Sequence, residues 1–175
     1  PITVIRIAAE MLLTEQELSQ QEKNSVHRIL RATRDMEELT EAFLMLARES
    51  EQGLSMEPVC INDVVQEELD RARVLIEEKP VEIHSSADCR LITNGSDKVL
   101  SVLIGNLLRN AVNYTDAGEI KVHIGEAEIS IEDSGVGIDT QQVGQVFQPF
   151  FRGSTTQRGG HGVGLTIVKR LSDRF

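Results

Sequence analysis

Seven positions spaced alternately by three and four, Val26, Ile29, Thr33, Met36, Thr40, Phe43 and Ala47, commit this chain to a long helix with one apolar seam. Leu30, Leu44 and Leu46 widen the seam. Upstream, Ile2, Ile5, Ala9 and Leu12 repeat at helical spacing, and the polar stretch 14–24 separates the two runs. No glycine precedes Gly53 and the only earlier proline is Pro1, so neither helix carries a breaker in its interior. A lone hairpin with so broad an apolar face cannot bury it. Pairing with a second copy as a four-helix bundle would do so, and packing onto the chain's own second half is the alternative.

All 13 glycines fall at or after Gly53, which marks a change of architecture. The expected division is a helical hairpin over 1–52, a linker over 53–58 and a second domain over 59–175. In that domain a short strand at Val59–Cys60 leads to a helix opened by Asn62/Asp63, with Val65, Leu69, Ala72 and Ile76 on one face and a stop at Pro80. Val81–His84 and Arg90–Thr93 read as strands, and a helix runs from Asp97 to about Tyr114, capped by Ser96 or Asp97. Ile120, Val122 and Ile124 alternate, as do Ile129 and Ile131 beyond a Gly125-Glu126 turn, giving an antiparallel hairpin. A last helix starts near Gly164.

Charge narrows the function. With 18 Lys+Arg against 28 Asp+Glu the net charge is −10, and no basic cluster offsets it, so a nucleic-acid or anionic-lipid binder is not expected. The most apolar stretch, Ile2 to Leu13, contains Arg6 and Glu10 and falls short of the roughly 20 residues of a spanning helix. Cys60 and Cys89, each beside apolar residues, read as reduced core thiols of a cytoplasmic protein.

Three features of the second half point to chemistry. Asn106, Asn110 and Asn113 lie at i, i+4 and i+7 on one helical stripe bordered by Arg109. Asn is a poor helix former, so three in a row suggest a ligand outside the helix; a solvated face is the plainer alternative. Asp133 continues the parity of Ile129 and Ile131, so its carboxylate is expected to point into the layer they fill, where an unpartnered charge is expensive. Read alone, it could also be a turn or cap aspartate at a strand end. Finally, eight glycines fall between Asp133 and Gly164, with Phe147, Phe150 and Phe151 among them, and the run ends at a helix N-terminus that offers free N–H groups to phosphate. Gly160-His161-Gly162-Val163-Gly164 matches neither the dinucleotide fingerprint nor the Walker P-loop.

Taken in order, these stretches resemble the boxes of bacterial two-component sensor histidine kinases, members of the ATPase superfamily that includes gyrase and the mismatch-repair ATPases. Asn106-Leu107-Leu108-Arg109-Asn110-Ala111 resembles the N box and Asp133-Ser134-Gly135-Val136-Gly137-Ile138 the G1 box. Phe147-Gln148-Pro149-Phe150-Phe151-Arg152 resembles the F box and Gly160-His161-Gly162-Val163-Gly164-Leu165 the G2 box. The hairpin is similar to the dimerisation and histidine-phosphotransfer domain. The implied fold is α+β: an antiparallel helical hairpin, a four-helix bundle in the dimer, followed by a Bergerat-type α/β sandwich with a mixed sheet.

The resemblance implies ATP and Mg²⁺ as ligands, held between the N-box helix and the glycine-rich lid. It gives Asp133 the adenine amino group, Asn110 the Mg²⁺ ion, Asn106 the phosphates and Tyr114 a place along the nucleotide. Arg109 and Asn113 border the phosphate end, Gly135, Gly137 and Ile138 belong to the G1 loop, and Phe150 to the lid. Gly160, Gly162, Val163, Gly164 and Leu165 would bring backbone N–H groups to the phosphate tail. Arg152 would stabilise charge on the transferring γ-phosphoryl group.

The implied activity is that of a protein-histidine kinase, a homodimer passing phosphate from its own histidine to an aspartate of a response regulator. Pro1-Ile2 is similar to the end of the family's H-E-x-x-T/S-P pattern, so the phosphoacceptor is expected five residues upstream of Pro1. This chain is then expected to bind nucleotide without phosphorylating itself, and to be the cytoplasmic part of an inner-membrane sensor that meets the membrane only through a missing N-terminal part. His27, His84, His123 and His161 stand in other contexts. Asn113 occupies a position where the family often has a Lys, and the chain stops in the last helix where relatives continue with a strand pair. A degenerate kinase that senses nucleotide without transferring phosphate is the alternative; a serine kinase of the anti-sigma-factor type or a superfamily ATPase is disfavoured by the heptad hairpin.

Overall fold

The computed structural model describes residues 1–14, 18–52, 57–76, 79–149, 151 and 162–174. The chain divides into two compact units, Pro1–Ala47 and Arg48–Phe175.

The first unit is built on α1 (Ile2–Thr14) and on α2 (Gln20–Gln52) as far as Ala47. The second begins earlier than its apolar seam because Ser19 and Glu22 form a capping box: Ser19 N–H and Oγ donate to Glu22 Oε2 at 2.8 and 2.6 Å, and Glu22 N–H donates to Ser19 Oγ at 3.3 Å. The S-x-x-E signature is plain in the sequence and lies inside the stretch read above as a polar separator. The hydrogen bonds from Ser19 hold the Glu22 carboxyl below its ordinary value. Ala9, Val26 and Leu30 form the unit's own core with Leu13 against it. Val4, Ile5, Ile7, Met11 and Leu12 remain exposed on α1, as do Ile29 and Met36 on α2.

In the second unit β1 (Glu57–Cys60) leads into α3 (Ile61–Leu75). Next come β2 (Val81–Ala87), β3 (Ile92–Gly95) and α4 (Asp97–Tyr114). The hairpin of β4 (Gly118–Ile124) and β5 (Ile129–Asp133) follows, and α5 (Gly164–Arg174) ends the chain. Asn62 does not cap α3: its amide donates to Cys89 O at 3.1 Å and accepts from Leu91 N–H at 2.9 Å, tying the helix start to the segment before β3. The cap position is Cys60, and the helix ends at Leu75 rather than running to Pro80. Cys60 and Cys89 are free and half-buried.

β1 pairs antiparallel with β3, while β2, β4 and β5 make a mixed sheet, β2 parallel and β5 antiparallel to β4. Ile120, Val122 and Ile124 share one core with Val65 and Leu69 of α3 and Ile104, Leu108 and Ala111 of α4. The opposite sheet face is polar, with His84, Ser86, Lys121 and Glu132 on alternate positions, as expected of a sheet covered on one side. There Lys121 donates to Glu119 at 2.6 Å, which lowers the Glu119 pKa and raises that of Lys121.

Leu69 is 1% exposed, so Leu69→Ala should cost the second unit about 2–5 kcal/mol in urea unfolding, while the hairpin's helical signal persists. The Glu22 cap has its own pH signature. Its folded pKa is depressed, so its contribution is present above the ordinary glutamate value of about 4.3 and is lost as pH falls through the lower folded value. Thermal melts followed by helical circular dichroism between about pH 3 and 6 should show this slope in the parent chain and a shallower one in Glu22→Gln.

Candidate functional site

Three stripes run along α4. Ile104, Leu108 and Ala111 enter the core. Two positions further on, Asn106, Asn110 and Asn113 have the same spacing and so lie about 200° round the helix, on its far side. Between the two stripes, Ser101, Gly105 and Arg109 look toward α3, to which Ser101 Oγ donates at Glu68.

The asparagine stripe is graded rather than uniform: Asn106 is 3% exposed, Asn110 half-buried and Asn113 exposed. Asn106 is covered because α5 packs on α4. A Cβ on Gly164, the first residue of α5, would stand 3.0 Å from Asn106 Oδ1 and 3.8 Å from Asn110 Nδ2, so glycine allows this close approach. Asn106 is fixed twice, donating from Nδ2 to Val102 O at 2.8 Å and accepting at Oδ1 from Arg109 Nη2 at 3.1 Å. Asn110 thus stands where the start of α5 meets the open part of the stripe. Leading into α5, Gly162 is left-handed at φ 72° and Val163 is buried.

The C-terminal end of α4 holds the other half of the site. Lys79 Nζ donates to Val112 O at 2.5 Å and to Thr115 O at 3.1 Å, neutralising the negative end of the helix. Tyr114 O accepts from Val136 N–H at 3.3 Å, and a Cβ on Gly135 would lie 2.3 Å from that same oxygen. Gly135 is therefore pressed against the α4 backbone, and its N–H donates to Asp133 Oδ1 at 2.9 Å. Asp133 pairs in register with Ile120, so it lies on the core face of the sheet, yet its side chain is exposed. The expectation of a carboxylate enclosed by the layer is corrected here. The strand runs past the end of the core, and Asp133 opens onto solvent on the face that Ile129 and Ile131 cover further back. Beyond it Gly137 is left-handed at φ 69°, and Ile138 is exposed.

The arrangement brings Asn106, Arg109, Asn110 and Gly164 together at one end, and Tyr114, Asp133 and Gly135 at the other. Phe150, Arg152 and Gly160, expected in the lid, lie outside the described residues, while Leu165 is half-buried in the first turn of α5. The hydroxyls of Thr115, next to Tyr114, and Thr166, in the first turn of α5, are buried without a protein partner among the described residues. Such orphans need a water or ligand polar atom. An amide stripe, a helix start bare of side chains and an open carboxylate suit a polar ligand that is anionic at one end and a hydrogen-bond donor at the other. Among the described residues no group of three His, Cys, Asp or Glu side chains could hold a metal, while the Asn110 amide oxygen suits a Mg²⁺ ion carried by an anionic ligand. Glu68 and Lys79, which brace α4, escaped the sequence reading. Glu68 had a signal, a charge in phase with Val65, Leu69 and Ala72; Lys79, before a proline, had none.

The chain resembles known proteins over nearly its whole length. Residues 95–175 match the family described as histidine kinase-, DNA gyrase B-, and HSP90-like ATPase, and residues 1–52 match the His Kinase A (phospho-acceptor) domain. The sensor-like histidine kinase SenX3 of Mycobacterium tuberculosis is 26% identical over 98% of this chain and 44% of its own length. The sensor protein kinase PmrB of Pseudomonas aeruginosa is 29% identical over 98% of this chain and 37% of its own. The chain thus spans less than half the length of these relatives. Among solved structures, the mycobacterial sensor histidine kinase MprB superposes with a TM-score of 0.60 at 27% identity, covering 68% of this chain and 79% of that one. Full-length ShkA in complex with AMPPNP shares the fold, with a TM-score of 0.67 at 22% identity over 98% of this chain and 37% of its own.

Gly135→Ala should force Tyr114 O and the strand end apart, at a cost of about 1–3 kcal/mol, and speed amide exchange at Val136. Gly144→Ala, with nothing within 4 Å of the new methyl, should leave both unchanged, so native-state hydrogen exchange on the two variants separates contact from substitution.

Proposed function

Because the chain belongs to the bacterial sensor histidine kinases, with both the phospho-acceptor type of hairpin and the ATPase type of domain, we propose that it binds ATP along α4 as the catalytic portion of a protein-histidine kinase. Residues 1–52 form the dimerisation hairpin in this reading and residues 59–175 the nucleotide-binding domain. The observation that carries it is the pairing of Asp133, open on the core face of the sheet, with the Asn106–Gly164 contact further back along α4.

Asp133 accepts from the adenine amino group, while its Oδ1 stays oriented by the Gly135 N–H. Tyr114, half-buried at the Asp133 end, lies along the nucleotide. Asn106, held by Arg109, supports the phosphates, and the bare backbone at Gly162, Val163 and Gly164 lets the N-terminus of α5 approach them. Mg²⁺, when bound, would neutralise phosphate charge, and Asn110 would hold it through its side-chain oxygen. Arg152 is assigned the charge that builds on the γ-phosphoryl oxygens. The P–O bond to ADP breaks and a P–N bond forms on a histidine of the kinase dimer, which loses its ring proton. The phosphoryl group then passes to a response-regulator aspartate. Positioning and electrostatics are the levers for such a transfer.

The exposed apolar residues of α1, Val4, Ile5, Ile7 and Met11, are assigned to the homodimer bundle. No described helix is long and apolar enough to cross a membrane. The likeness to sensor proteins such as SenX3 and PmrB supports reading this portion as the cytoplasmic part of an inner-membrane sensor.

Calorimetric titration with a non-hydrolysable ATP analogue tests the site. The wild-type chain should bind, Asp133→Asn should weaken binding by at least about a hundredfold, and Asn110→Ala should remove the Mg²⁺ dependence while leaving metal-free affinity nearly intact. A folded chain that does not bind the analogue would sink the reading, and the nucleotide-sensing alternative with it.

A further inference from the structure

Glu68 lies on α3 in phase with Val65, Leu69 and Ala72, on the buried face of that helix, and is only 5% exposed. Burying a carboxylate costs much unless its charge and lone pairs are matched. Oε1 is matched: Ser101 Oγ donates to it at 2.5 Å, and Arg71 Nη1 donates from one turn along α3. Oε2 faces Gly105, 2.7 Å from where a Cβ would stand, and Arg109 Nη1 lies 3.8 Å from that same point. Glu68 Oε2 and Arg109 Nη1 thus both border the space that the missing Cβ of Gly105 leaves open, and they lie within a Debye length of about 8–10 Å of each other. The other terminal nitrogen of Arg109 donates to Asn106 Oδ1, and that oxygen stands 3.0 Å from where a Cβ on Gly164, the first residue of α5, would be. Packing alone would be met by an aliphatic residue, as at positions 65 and 69. The acid stands at the inner-face position opposite Arg109.

We infer that Glu68 is a positioning residue: its buried carboxylate, facing Arg109 across Gly105, orients the guanidinium that holds Asn106 and so sets the phosphate end of the nucleotide site. The inference rests on the nucleotide reading above. Glu68 itself touches no nucleotide; it acts through Arg109 and Asn106.

The test compares a non-hydrolysable ATP analogue with phosphate-free adenosine, both titrated into the full 175-residue chain. Glu68→Gln keeps the shape and removes the charge. The expected result is a loss of about tenfold or more in affinity for the analogue, adenosine affinity unchanged within about twofold, and a changed NMR signature of the Arg109 guanidinium. Gly105→Ala drives a methyl into the gap without altering either charge. It should reproduce the same selective loss, and it carries the test if Glu68→Gln does not fold. Equal losses for both ligands would make Glu68 a packing residue and overturn the inference, as would unchanged affinity for the analogue. A wild-type chain that binds neither ligand overturns the nucleotide reading itself and this inference with it, whereas wild-type binding with no selective effect overturns the inference alone.

Discussion

Burial of Ile104, Leu108 and Ala111 in the core shared with β4 decides which way α4 faces, and the rest of the second unit follows from that orientation. With one stripe committed to the core, the stripe about 200° away must carry whatever the helix offers to a ligand. The stripe between them meets α3, which is why a small residue, Gly105, and a cation, Arg109, stand opposite Glu68. The same helix is tied down at its far end by Lys79. An element braced from the side and at its end can present amides at fixed positions, and preorganised polar groups interact with charge without reorganising.

Much of this was legible in the sequence because it rests on period. The stop of α4 at Tyr114, the β4–β5 hairpin about Gly125 and the start of α5 at Gly164 all follow from alternation, helical spacing and glycine placement. The α1–α2 hairpin follows from an unbroken seam, although the Ser19–Glu22 box sets its start where the apolar pattern is silent.

What was not legible depends on tertiary partners. Asn62 has the chemistry of a cap, but the backbone at Cys89 and Leu91 passes close enough to take its amide, and no local pattern reports where that segment runs. Parity put Asp133 on the correct face of the sheet, yet parity says nothing about where the core ends, and the residue emerges from it. Lys79 is invisible for the same reason: its partners are carbonyls more than 30 residues away in sequence. The asparagine stripe was readable as a stripe, whereas its gradient from buried Asn106 to exposed Asn113 is created by α5 arriving over one end.

The contact between Gly135 and the carbonyl of Tyr114 has an evolutionary side. The Asp133 carboxylate is located by main-chain atoms, which every residue possesses, so the side chain at 114 can change while the anchor stays where it is. Position 135 has no such latitude, because the anchor exists only where nothing projects from the α-carbon. One end of the site is thus tolerant of drift at the residue that supplies the oxygen and intolerant at the residue that leans on it. A lineage can remodel the side chain at 114 many times over and still keep the carboxylate of Asp133 where it is.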